Sequence, residues 1–111
     1  MNDIKNCIYE NKTDENGNPT GGKFEGTGIL IEWQNGPLGQ GISRLAPNGA
    51  FVETVISAIV QRIEFYQTAS NGKFKCRENA LAVTKLEEAL LWLNKRTQDR
   101  EERKVEGTHT A

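Results

Sequence analysis

Apolar residues recur along the second half of the chain at helical spacing. Val52, Val55, Ile56, Ile59, Ile63 and Tyr66 form one stripe of an α-helix. Phe51, Ala58 and Phe65 add a second stripe beside it, an arc wide enough to need cover on more than one side. Pro47-Asn48-Gly49 opens this helix, with Asn48 as its N-cap. Gln67 to Lys73, containing Asn71-Gly72, turns the chain. A second helix is predicted from about Arg77 to about Lys104. Ala82, Leu86, Ala89, Leu90, Leu93 and Thr97 lie on its inner face, and Leu81, Glu88 and Trp92 on a flank. Beyond Asn94 it is almost wholly charged. The spacings Lys95–Asp99 and Asp99–Arg103 support an exposed helix by only about 0.2–0.5 kcal/mol each. Gly107 is the expected stop.

The first half alternates rather than coils. Residues 3–9 predict a strand with Ile4 and Ile8 on one face and Cys7 and Tyr9 on the other. Asn11 to Gly22 is dense in Asn, Asp, Gly and Pro, which is turn chemistry. From Lys23 to Trp33 a second strand is expected. It places Thr27, Ile29, Ile31 and Trp33 on one face and Phe24, Gly26, Gly28, Leu30 and Glu32 on the other. Gln34 to Gly41 is a glycine-rich loop. The expected fold is therefore α+β: an N-terminal antiparallel β-hairpin or small sheet followed by two long antiparallel α-helices. The chain is read as one domain, with hairpin and loops over 1–46, a helical hairpin over 47–104 and a tail over 105–111.

Composition narrows the function. Hydrophobic residues make up 36% and the mean hydropathy is −0.62, lean for a chain whose helices are rich in Leu, Ile and Val. That imbalance points to apolar surface closing against another copy of the chain. A net charge of −1 supplies no field to recruit nucleic acid or anionic lipid, and no apolar run approaches a bilayer span. The start Met1-Asn2-Asp3-Ile4-Lys5-Asn6 lacks the pattern of an export signal. Cys7 and Cys76 are accordingly expected as free thiols.

Catalytic groupings are nearly absent. Neither cysteine has a partner at zinc-ligand spacing. Glu87 and Glu88 are adjacent on a helix and point apart. The only histidine, His109, reads by itself as a tail residue. No enzyme chemistry, metal or cofactor is expected. Binding chemistry is easier to assemble. The loop Gln34-Asn35-Gly36-Pro37-Leu38-Gly39 offers amides and approachable backbone, and Trp33 before it offers a stacking face. Arg77, Glu78 and Asn79 stand at the start of the second helix, where the dipole favours an anion and arginine grips phosphate. Tyr66 and Phe74 flank the inter-helix turn. Each residue also has a structural use: Trp33 and Tyr66 as core, Arg77 and Asn79 as capping and surface groups.

Four strings carry a family resemblance: Ile31-Glu32-Trp33-Gln34-Asn35-Gly36-Pro37-Leu38, Pro47-Asn48-Gly49-Ala50-Phe51-Val52-Glu53, Cys76-Arg77-Glu78-Asn79-Ala80-Leu81-Ala82 with Thr84-Lys85-Leu86-Glu87-Glu88-Ala89-Leu90, and Val105-Glu106-Gly107-Thr108-His109. In this order they resemble the phage and prophage Thoeris anti-defence sponge proteins, related in their helical half to the anti-CBASS cyclic-dinucleotide sponges. The resemblance implies a non-enzymatic protein of the bacterial host cytoplasm that sequesters glycocyclic ADP-ribose signals. It further implies cyclic di- or trinucleotides at separate sites in some members, and dimers built into hexamers. Tyr66 and Asn79 resemble the family's ligand-contacting pair. By the same resemblance Trp33, Gln34, Asn35 and Gly36, together with Gly107, Thr108 and His109, would line pockets between subunits. The alternative is a structural helical-hairpin subunit of a phage assembly, which the wide apolar arc of the first helix also suits.

Overall fold

Residues 6–111 are described by a computed structural model, in which three short strands precede two long helices. β1 (Ile8–Thr13), β2 (Pro19–Gly26) and β3 (Ile29–Trp33) form an antiparallel sheet in the order β1-β2-β3. α1 (Val52–Gly72) and α2 (Arg77–Glu102) follow, with a 3-10 turn at Gly41–Ser43 between sheet and helices. The chain divides into two units: the N-terminal part through Phe51 together with Arg103–Ala111, and Val52–Glu102.

The α+β class agrees with the sequence reading, but the strands fall differently. β1 reaches Thr13, four residues beyond its expected end, and Ile4 lies outside the described residues. The turn chemistry spread over residues 11–22 is concentrated in Asp14–Asn18. There the Asp14 carboxylate accepts from the backbone N–H of Asn16 (2.8 Å) and of Asn18 (3.0 Å), and the Asp14 N–H donates to the Asn18 carbonyl at 2.9 Å.

The expected strand from Lys23 to Trp33 is two strands. The pairs Gly26↔Ile29, Phe24↔Ile31 and Gly22↔Trp33 show a hairpin closing at Thr27-Gly28, with Gly28 at φ +77°. Opposed residues of an antiparallel pair share a face, so Phe24 joins Ile31 and Trp33 rather than opposing them. Tyr9 pairs with Phe24 and extends the same apolar face. Glu10, Lys23, Glu25 and Glu32 lie on the other face with Ile8 and Leu30. A period-two count cannot see a two-residue loop, because the loop inverts the parity on its far side.

Hydrogen bonds at the first turn hold the Asp14 carboxyl below the usual carboxylate range. The backbone N–H of Asn18 contributes most, then that of Asn16 and the Asn18 side chain, with the charge of His109 least. A lowered folded pKa means stability present above the unfolded value, near ~3.9, and lost as pH falls through the folded value. Asp14→Ala should therefore lower the melting temperature by a few degrees at neutral pH. Thermal melts should show that gap closing below about pH 4; a gap independent of pH contradicts this role.

The second unit is a helical hairpin. Val60 is the only buried hydrophobic residue among those described. It lies on the α1 stripe Glu53, Ile56, Val60, Ile63 and Gln67, which is less exposed than its surroundings. The expected stripe included Ile59, which is 45% exposed. The inner stripe predicted for α2 (Ala82, Leu86, Ala89, Leu90, Leu93, Thr97) is half-buried throughout. Asn48 does not cap α1, which begins at Val52. Ala50, two residues before the helix, pairs instead with Trp33 in a parallel bridge. Helical geometry in α1 ends before Ala69 (ψ 144°), where Ser70 and Asn71 turn left-handed. α2 ends at Glu102, and the left-handed residue after it is Lys104, φ 58°. Gly107 was the expected stop; its positive φ serves a turn further along the tail.

Candidate functional site

The residues singled out by sequence fall into two clusters, one in each unit. The first is built on the end of β3. Gln34 N–H donates to the Ala50 carbonyl at 3.0 Å, and Ala50 N–H donates to the Glu32 carbonyl at 2.7 Å. Two side-chain amides then knit the loop together. The Gln34 carbonyl accepts from Asn48 N–H (2.8 Å), while its Nε2 donates to the Gly36 carbonyl (3.2 Å). Asn48 Oδ1 accepts from Asn35 N–H at 2.8 Å, and its Nδ2 donates to the Asn35 carbonyl at 3.1 Å. Gln34 and Asn48 are thus committed to backbone and shape the loop. The Asn35 side chain is exposed and has no hydrogen-bond partner among the described residues. Trp33 is half-buried at the end of the apolar sheet face.

The tail belongs to this same cluster. Gly39 N–H donates to the Gly107 carbonyl at 2.8 Å. Gln40 Nε2 donates to the carbonyls of Lys104 (2.9 Å) and Glu106 (2.8 Å). Arg44 meets the Glu106 carboxylate with both ends of its fork, Nη1–Oε2 at 2.5 Å and Nη2–Oε1 at 3.0 Å. Thr108 folds back on Val105 through its hydroxyl, 2.5 Å, and its N–H, 3.1 Å. The segments 33–36 and 107–109 are therefore parts of one folded unit.

The second cluster stands at the turn end of the helical hairpin. Gln67 fixes the head of α2 by accepting from Cys76 N–H (2.9 Å) and donating to the Cys76 carbonyl (3.0 Å). Cys76, an exposed free thiol, in turn accepts from Asn79 N–H at 3.4 Å. Tyr66 and Arg77, the neighbours of these two linked residues, stand at the same end of the hairpin. The side chains of Arg77 and Asn79 make no hydrogen bond or ion pair among the described residues. They stand unspent where the first-turn N–H groups and the dipole of α2 favour negative charge. Tyr66 is 41% exposed and meets Phe65 edge-on, with centroids 5.8 Å apart. Phe74 is exposed beneath Lys73, 5.4 Å from its ring.

Sequence reasoning missed Arg62. Its guanidinium lies 5.0 Å from the Phe65 ring and 4.9 Å from the Tyr66 ring, and donates to the Tyr66 hydroxyl at 3.2 Å. The signal was present, since Arg62 precedes Tyr66 by four residues on the helix and such pairs meet. Gln40, Arg44 and Glu106 were also missed. Contacts joining residues more than sixty positions apart leave no local pattern. Among the described residues no group of three or more His, Cys, Asp or Glu could hold a metal, and no helix is long and apolar enough to cross a membrane.

A relative from Bacillus phage SBSphiJ7, named Thoeris anti-defense 1, is 46% identical over 86 residues, 78% of this chain. The chain covers only 56% of that relative. The family description "Acb2/Tad1, hairpin domain" fits residues 25–98, from within β2 to the last turns of α2. That span is well over half of the chain, which therefore belongs to the Acb2/Tad1 hairpin family, the family of the Thoeris anti-defence proteins that its four strings resemble.

Proposed function

We propose that this chain is a non-enzymatic binding protein that sequesters glycocyclic ADP-ribose and so blocks Thoeris signalling in the bacterial host cytoplasm. The observation that carries the reading is the unspent pair Arg77 and Asn79 at the head of α2, at the hairpin end that also bears Tyr66. In a relative of Thoeris anti-defense 1, such a set suits a small phosphorylated ring: aromatic face to base, guanidinium to pyrophosphate, amide to ribose. A sponge that outcompetes an effector needs nanomolar affinity, about −12 kcal/mol. Stacking at about 1–3 kcal/mol per base and hydrogen bonds to charged groups at about 1.5–3 kcal/mol each reach that scale only when several act together. This favours pockets closed by more than one subunit.

The working form in this reading is a homo-oligomer built from dimers, a hexamer by the family resemblance, with cyclic di- or trinucleotides held at separate sites. Support comes from the apolar surface. Leu81, Leu91 and Trp92 on α2 are 45%, 68% and 71% exposed, and Val60 alone is buried among the described hydrophobic residues.

Calorimetry with glycocyclic ADP-ribose tests the binding, with linear ADP-ribose as control. Asn79→Ala and Arg77→Ala should each weaken binding about tenfold or more, the loss of one charge-assisted or buried hydrogen bond, with melting temperatures within a few degrees of wild type. Unfolding of both variants would make these residues structural caps and misplace the pocket.

A further inference from the structure

We infer that Gln40, Arg44 and Glu106 form a clamp that positions the Gly107–His109 segment for ligand, a role distinct from touching the ligand. The inference rests on the binding function proposed above, but the clamp itself is read from five contacts. The Arg44–Glu106 pair is bidentate, the geometry in which arginine is most orienting. Arg44 Nη1 also reaches the Gly39 carbonyl, at 3.4 Å, so one guanidinium holds both the loop and the tail. Gln40 spends its amide nitrogen on two tail carbonyls, those of Lys104 and Glu106. Gly39 N–H closes the set on the Gly107 carbonyl.

The tail's own backbone is shaped for this seat. Lys104 and Gly107 both adopt positive φ, 58° and 81°, reversing the chain on either side of Glu106. A Cβ on Gly107 would overlap the Gly39 carbonyl oxygen and lie 3.3 Å from Arg44 Nη1. Only glycine permits both that dihedral and that approach. The carboxylate at residue 106 and the absent side chain at 107 therefore act together. The first is gripped, and the second lets the chain come close enough to be gripped.

The energetic argument favours positioning over bulk stability. The Arg44 and Glu106 side chains are 41% and 28% exposed, so solvent screens much of their attraction and an isolated pair of this kind contributes little to folding. A bidentate pair assisted by four backbone contacts nonetheless restricts the segment from Lys104 to Gly107. Loss of the clamp should release residues 105–111 while sheet and helices persist. A released tail must be ordered again at each binding event, and that cost appears as lost affinity.

The test uses the full chain and two readouts. Hydrogen exchange of the Gly39 amide reports the seat directly, without ligand. Arg44→Ala and Glu106→Gln should each accelerate it at least tenfold while the melting temperature moves by only a few degrees. The exchanged pair Arg44→Glu with Glu106→Arg should recover much of the protection. Affinity for glycocyclic ADP-ribose should fall about tenfold or more in the two single variants and recover in the exchanged pair. Unchanged Gly39 exchange in Arg44→Ala overturns the clamp. Faster exchange with unchanged affinity overturns its role in binding. A wild-type protein that protects Gly39 but ignores the nucleotide refutes the proposed function and leaves the clamp standing as a fold element.

Discussion

Gly49→Ala should lower the melting temperature by about 10–20 °C, the effect expected of a 2–3 kcal/mol loss in a domain of this size. The reason lies at the junction between β3 and the segment leading to α1. A Cβ at residue 49 would sit 2.6 Å from both the carbonyl carbon and oxygen of Trp33 and 2.8 Å from the Gln34 nitrogen. All three are backbone atoms, so no side chain can swing aside. Relief requires the strand and the 47–50 segment to part, and the two hydrogen bonds through Ala50 go with them. Forced overpacking usually costs about 1–3 kcal/mol. Here the lost bridge and the disturbed Gln34–Asn48 network add to it. Thermal melts check the value. A variant that melts within about 3 °C of wild type, under 1 kcal/mol for a domain of this size, contradicts the close approach.

The second large effect is expected on assembly. Trp92 is 71% exposed on the outer flank of α2, with Leu81 on the same face and Leu91 beside it. Burying a tryptophan removes roughly 150–250 Å² from water, worth about 3 kcal/mol for the exposed portion at ~25 cal/mol per Å². In a two-fold interface the term counts twice. Trp92→Glu replaces that gain with a charge needing solvation, so the proposed homo-oligomer should dissociate with a constant at least a hundredfold higher, the factor that about 2.7 kcal/mol supplies. Sedimentation should show smaller species, with far-UV circular dichroism unchanged. An assembly that persists in this variant places its interface elsewhere.

The helices were legible because their signal is local and repeated. The α2 stripe from Ala82 to Thr97 faces inward as its spacing requires. Lys95 and Asp99 meet at 3.6 Å as their separation allows. The errors share one cause, that a local pattern has more than one tertiary use. Asn48 has the chemistry of an N-cap, and the fold spends it on Asn35. Thr27-Gly28 closes a hairpin inside what reads as one continuous alternation, and the two-residue loop inverts the parity of the faces on its far side. Ile59 and Val60 are adjacent and equally apolar, and only packing chooses between them.

The candidate site divides the same way. That Tyr66, Arg77 and Asn79 stand at one end of the helical hairpin was readable, because the turn fixes where its flanking residues lie. Arg62, stacked on the predicted Tyr66, needed only a look four residues back. The tail clamp was out of reach. Gln40, Arg44 and Glu106 resemble ordinary surface residues until the fold joins them across more than sixty positions.

The central claim, that the protein holds its ligand without altering it, is tested by incubating excess protein with glycocyclic ADP-ribose, removing free nucleotide, heating the protein to denature it and weighing what is released. Mass spectrometry should return the original nucleotide, chemically unchanged and in fixed proportion to the chain. Release of an opened or hydrolysed product, or of no nucleotide at all, contradicts the account.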